Sequence, residues 1–132
     1  MLARQNFGSL IAVSCCNRIQ VEIRNADIYP NTVSLKLTLV NTTLPGRPSQ
    51  FLGTAPVRSR PRLTKDNEMI PSHETLTFFI PANTVLRAFD EVSVSFERDW
   101  RRRNLSAKIA IDRFVFIPGG RSSTSKLTRP VA

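Results

Sequence analysis

Hydrophobic and polar residues alternate along much of this chain. The clearest segment is 33–40, where Val33, Leu35, Leu37 and Leu39 are separated by single polar residues. A period of two places apolar side chains on one face of a β-strand and polar side chains on the other. Similar alternation or short apolar runs predict further strands at residues 9–14, 18–24, 51–57, 76–80, 92–97 and 107–118.

The spacing of these strands predicts an all-β fold. Turn-rich stretches join them, and no helical periodicity extends beyond two turns, so we expect an antiparallel β-sandwich that is jelly-roll-like. Residues 1–118 are expected to form a single domain, and the polar residues 119–132 a flexible tail. The centres of four alternating strands should be buried together in the core, namely Leu37, Phe78, Val94 and Ile111.

The closing segment carries a family resemblance. Residues Lys108 to Pro118 follow a strand and a loop, and they combine apolar positions with Asp112 and a final proline. This ending resembles the last strand of galactose-binding-like jelly rolls, a class that includes many carbohydrate-binding modules. The resemblance implies a carbohydrate-binding function. It also implies a structural calcium that joins an early loop to the last strand, with Asp112 as a ligand.

The early loop supplies the other candidate calcium ligands, Asn25, Asp27 and Asn31. Calcium takes six to eight oxygen ligands, so a site with two acidic groups would be weak. Asn and Asp at these positions are explained more simply as Asx turns. We therefore expect no cofactor and disfavour the calcium site.

The charge of the chain is strongly positive. Nineteen Lys and Arg residues against ten Asp and Glu residues leave a formal net charge of +9. Such a protein attracts anions, although charge alone identifies no specific partner.

Two arginine-rich loops concentrate this charge. The first, residues 58–65, contains Arg58, Arg60, Arg62 and Lys65. The second, residues 98–103, contains Trp100 together with Arg98, Arg101, Arg102 and Arg103. Cations beside an aromatic ring are the groups that proteins use to hold single-stranded nucleic acids. If both loops fall on one side, the pattern predicts a binding site for a polyanion, either a nucleic acid or an acidic glycan.

Two aromatic residues in loops favour a carbohydrate instead. Trp100 and Tyr29 carry flat rings of the kind that stack on sugars, whereas most of the eight Phe residues fall on predicted strands. The alternative for Trp100 is that it covers the open edge of the core beneath an arginine. Both interpretations of Trp100 stay open at this point.

The sequence contains no recognisable catalytic motif. Its one histidine, His73, lies between Ser72 and Glu74 but has no recognisable catalytic set of Cys, Ser or carboxylate residues around it, and there is no G-x-S-x-G or Walker-type glycine loop. We therefore expect no enzyme but a non-catalytic binding or accessory domain, with a carbohydrate, another envelope ligand or another protein domain as its partner. The alternatives are the polyanion-binding module and a fragment of a larger envelope protein, which would lie in the cell envelope or outside the cell. No stretch approaches transmembrane length.

The two cysteines are neighbours, Cys15 and Cys16. Neighbouring residues of a strand point to opposite faces, and a disulfide requires a specific geometry. We therefore expect two thiols rather than a bridge.

Overall fold

The alternating segments form the strands of two packed sheets. The computed structural model describes residues 2–29, 31–100, 108–119 and 127–130. Its strands are β1 (Leu2–Ala12), β2 (Arg18–Asn25), β3 (Val33–Val40), β4 (Ser49–Pro56), β5 (Arg62–Leu63), β6 (Met69–Ile70), β7 (Ser72–Phe79), β8 (Ala88–Arg98), β9 (Ile109–Ile117) and β10 (Leu127–Pro130). A short 3₁₀ turn, Val13–Cys15, follows β1.

Each large sheet has four antiparallel strands. The first sheet has the order β1-β8-β3-β4 and the second has the order β10-β9-β2-β7, while β5 and β6 form a separate hairpin. The chain crosses from one sheet to the other between β1 and β2, between β2 and β3, between β4 and β7 by way of the hairpin, between β7 and β8, and between β8 and β9. The predicted all-β fold, an antiparallel β-sandwich, is confirmed.

The core lies between the inward faces of the two sheets. Leu37 and Val94 are fully buried and Phe78 is nearly so, as their alternating strands predict. Ile111 is only partly buried against the same cluster, because it lies in the half of β9 that β10 does not cover. The rings of Phe89 and Phe116 pack together at the centre, with centroids 5.8 Å apart.

The segment expected to be a flexible tail contains strand β10. Residues Leu127–Pro130 pair with the second half of β9, from Phe116 back to Arg113. This half of β9 carries consecutive buried residues, Phe114, Val115 and Phe116. Because β10 pairs with one edge and β2 with the other, this half of β9 is an inner part of its sheet. Residues 120–126 and 131–132 lie outside the described part of the chain.

The expectation of two thiols is wrong, because Cys15 and Cys16 are joined by a disulfide. Strand β1 ends at Ala12, so the two cysteines do not share the alternating geometry of a strand. Cys15 is the last residue of the 3₁₀ turn, and Cys16 follows in an extended conformation at φ −148° and ψ 150°. This change of conformation allows neighbouring side chains to meet.

Candidate functional site

Loops from three parts of the chain meet at one end of the sandwich. The backbone N–H of Asn31 donates to the carbonyl of Val57 at 3.0 Å, and the N–H of Asp99 donates to the carbonyl of Thr32 at 2.7 Å. Because Asn31 and Thr32 are neighbours, they link the start of the 58–65 loop to the start of the 98–103 loop. We call this end, formed by residues 26–29, 31–32, 57–71 and 98–100, the basic end.

Two buried polar residues shape the loop after β2. The side-chain oxygen of Asn25 accepts a hydrogen bond from the N–H of Asp27 at 2.8 Å. The carboxylate of Asp27 in turn accepts from the N–H of Tyr29 at 3.0 Å. These consecutive Asx turns satisfy Asn25 and Asp27, which are 1% and 5% exposed, and they leave Tyr29 44% exposed at the surface.

The first arginine loop starts from an anchored backbone. The side-chain amide of Asn25 donates to the carbonyl of Ser59 at 2.8 Å. On the other side, the carboxylate of Glu74 accepts from the N–H of Ser59 at 2.8 Å and from the N–H of Arg58 at 3.2 Å. Strands β2 and β7 therefore fix the backbone from which Arg58 and the residues after it extend.

The hairpin of β5 and β6 continues this loop and closes on itself. The N–H of Thr64 donates to the carbonyl of Glu68 at 2.9 Å, and the hydroxyl of Thr64 accepts from the N–H of Glu68 at 3.0 Å. Asn67 adopts a positive φ of 61°, which asparagine tolerates better than most residues. The hairpin carries three exposed apolar side chains that sequence analysis did not single out, Leu63, Met69 and Ile70.

The second arginine loop begins with an exposed ring. Trp100 is 89% exposed, so most of its surface is accessible to a ligand rather than packed over the core. Arg98 is also exposed. Arg101, Arg102 and Arg103 follow in the sequence but lie outside the described residues.

Among the described residues, positive and negative charges are equal in number at the basic end and at Glu74 beside it. The carboxylates of Asp27 and Glu74 already accept backbone hydrogen bonds. The other acidic groups of the described residues there are Asp66, Glu68 and Asp99. Against them stand the predicted cations of the two loops, which are Arg58, Arg60, Arg62, Lys65 and Arg98.

Asp112 is not brought to the candidate calcium ligands of the early loop. Asn25 points into the sandwich, whereas Asp112 accepts a hydrogen bond from Nε of Arg24, at 2.6 Å, on the opposite face of β2. His73 is the next group, with its Nδ1 3.8 Å from Asp112. In the described part of the chain, no group of three or more His, Cys, Asp and Glu residues is arranged to hold a metal ion.

The outer face of the second sheet carries a charged groove that the sequence analysis missed. The groove has a volume of about 630 Å³ and is lined by residues of β2, β7 and β9, among them Glu22, His73 and Asp112. Nε of Arg113 lies 2.7 Å from Glu22, so acidic and basic groups are matched across the strands. The signal was present as charged residues at alternate positions of β2, but pairing them required the strand order.

Comparison with protein-family models, curated proteins and solved structures finds no match to this chain. The resemblance to galactose-binding-like domains therefore stays a prediction, and the function is inferred from the site. None of the described helical segments has the length and apolar character needed to cross a membrane.

Proposed function

We propose that this protein is a non-catalytic binding module that holds an acidic polymer at its basic end. The observation that carries this proposal is the pair of hydrogen bonds from Asn31 to Val57 and from Asp99 to Thr32. They start both arginine loops from the same end of the sandwich, which is the condition that the sequence left open. Tyr29 and Trp100 are exposed at the same end.

The chemistry of these side chains suits a polymer of anionic groups. A guanidinium presents several N–H donors in a planar fork that matches the oxygens of phosphate, sulfate or carboxylate. Aromatic rings beside such cations stack on bases or on the apolar faces of sugars. The hairpin of β5 and β6 belongs to the same loop and carries two cations, Arg62 and Lys65, beside two carboxylates, Asp66 and Glu68.

A neutral carbohydrate is the second candidate ligand, and the exposed ring of Trp100 favours it. Stacking and neutral hydrogen bonds would then carry the affinity, so binding would change little with salt. Binding to a polyanion releases counterions and weakens steeply as salt increases. The salt dependence therefore separates the two ligands.

Two matched double variants test the proposal. Arg60→Gln with Arg62→Gln changes the basic end, and Arg47→Gln with Arg87→Gln changes exposed positions in the loops of the opposite end. Each pair removes two positive charges and lowers the formal net charge from +9 to +7. Any difference between the two variants therefore reports the position of the charges and not their number.

Each protein would be titrated with an oligothymidylate, a sulfated glycan and a neutral oligosaccharide at several salt concentrations, and binding would be followed by tryptophan fluorescence. We expect the variant of Arg60 and Arg62 to bind a polyanion more weakly and to lose about 1.4 from the log–log salt slope for the oligonucleotide, roughly 0.7 for each phosphate contact. The control should keep most of the affinity. Equal losses of affinity in both variants would show that only the net charge matters, and would refute a site at the basic end. Binding of the neutral sugar alone, without dependence on salt, would favour a neutral carbohydrate as the ligand.

A further inference from the structure

Strand β1 is an edge strand with one side free in the described part of the chain. It pairs with β8 and is the first strand of its sheet. In the facing sheet, β10 pairs with β9 only from Arg113 to Phe116, so among the described residues Ile109–Asp112 has a partner on the β2 side alone. An edge with unpaired N–H and C=O groups is a template for a further strand.

An apolar cleft opens between these two edges. It has a volume of about 180 Å³ and is lined by Ala3 and Gln5 of β1, Phe96 of β8, and Ile109, Ile111 and Phe114 of β9. Ile109 and Ile111 are only partly buried although they pack against the core. The cleft is therefore a place where the described residues cover the core of the sandwich incompletely, beside a strand edge that can accept a partner.

We propose that residues 2–6 of β1 bind an extended peptide segment of another protein as an added strand. The segment would place an apolar side chain in the cleft and an acidic side chain opposite Arg4. Recognition of this kind draws affinity from backbone hydrogen bonds and specificity from alternate side chains.

The alternation of β1 defines the chemistry of the partner. Ala3 and Gln5 are half-buried towards the cleft, whereas Arg4, which also borders the cleft, is exposed. A paired strand follows the same period, so its residues must alternate between apolar and acidic. The length is limited as well, because the register of β1 against β8 shifts between Asn6 and Ile11.

Arg4 also argues against a second copy of this chain as the occupant. Two β1 strands that pair antiparallel around Arg4 would bring two like charges opposite each other, which is destabilising. The net charge of +9 adds to the repulsion between copies and to the attraction of an acidic segment.

Two capped peptides test the proposal, Ser-Thr-Leu-Glu-Leu-Thr-Ser and the same peptide with Lys in place of Glu. They would be titrated into ¹⁵N-labelled protein and followed by NMR. We expect the amide signals of residues 2–6 and 109–111 to move, and the Glu peptide to bind the wild type about two- to fivefold more tightly than the Lys peptide. The exposed substitution Arg4→Glu should reverse this preference.

The cleft is tested separately from the charge. Ala3→Leu would fill it, and the Glu peptide should then bind about tenfold more weakly. If this variant does not fold, a peptide with both Leu residues replaced by Ala should show the same loss on the wild type. Three results would each overturn the proposal. They are signal changes confined to other surfaces, an unchanged preference between the two peptides in Arg4→Glu, and equal binding of the Glu peptide and its version with Ala in place of both Leu residues.

Discussion

Asn25 holds the basic end together, so its removal should cost stability. The side chain is 1% exposed, donates to the carbonyl of Ser59 at 2.8 Å, and accepts from the N–H of Asp27 at 2.8 Å. Asn25→Ala leaves both of these backbone groups without their partner. A buried polar group that loses its partner costs about 1–3 kcal/mol. Ser59 is only half-buried, so water can reach its carbonyl, and we expect a total loss of about 2 kcal/mol.

Urea unfolding of Asn25→Ala and of a matched control measures this loss. Asn83→Ala makes the same change at an exposed position of the opposite end, where we expect a change within about 0.5 kcal/mol. Hydrogen exchange of the Asp27 amide should also become faster in Asn25→Ala. A loss below about 0.5 kcal/mol, or an equal loss in the control, would refute the reasoning that the Asn25 bridge anchors these loops.

Three further predictions concern the core, a carboxylate and calcium. Leu37→Ala should lower the free energy of unfolding by about 2–5 kcal/mol because Leu37 is fully buried. Leu44→Ala, at a 51% exposed position, should change it by less than about 0.5 kcal/mol. Similar losses for the two variants in denaturant unfolding would contradict the assignment of Leu37 to the inward face. Hydrogen bonds from the backbone N–H of Thr42, and to a smaller extent from its hydroxyl, lower the pKa of Asp90. The ionised carboxylate should therefore stabilise the fold fully above the ordinary pKa of about 4, and this stabilisation should be lost as the pH falls through the lowered value. Urea unfolding at pH 3 and pH 6 should therefore show a smaller advantage of the wild type over Asp90→Asn at pH 3, and an unchanged advantage would contradict the lowered pKa. Addition of a chelator to the purified protein should leave its melting temperature unchanged, and a clear decrease would support the calcium site after all.

The inner strands of the sandwich were predictable because burial on one face imposes a period of two. Strand β3 shows this most simply, since Val33, Leu35, Leu37 and Leu39 are all buried. The first half of β1 was missed for the opposite reason. As an edge strand beside an open cleft, it tolerates the half-buried polar residue Gln5, which interrupts the apolar pattern.

The candidate site was predictable in its parts but not in its assembly. The Asx turns at Asn25 and Asp27 follow from local chemistry, because both side chains bond to a backbone N–H two residues later. The proximity of the two arginine loops depends instead on the placement of β8 beside β3, which brings Asp99 to Thr32. Strand order of this kind is not encoded in the pattern of any single segment.

The most direct test of the central claim is a map of where a polyanion binds. An oligothymidylate would be titrated into ¹⁵N-labelled protein at moderate salt, and the shifts of backbone amide signals would be assigned to residues. We predict that the largest shifts cluster at the basic end, in residues 26–29, 57–62 and 98–100. Shifts centred on the loops of the opposite end, residues 41–48 and 80–87, would contradict a binding site at the basic end. Shifts spread evenly over the surface of the protein would contradict it as well.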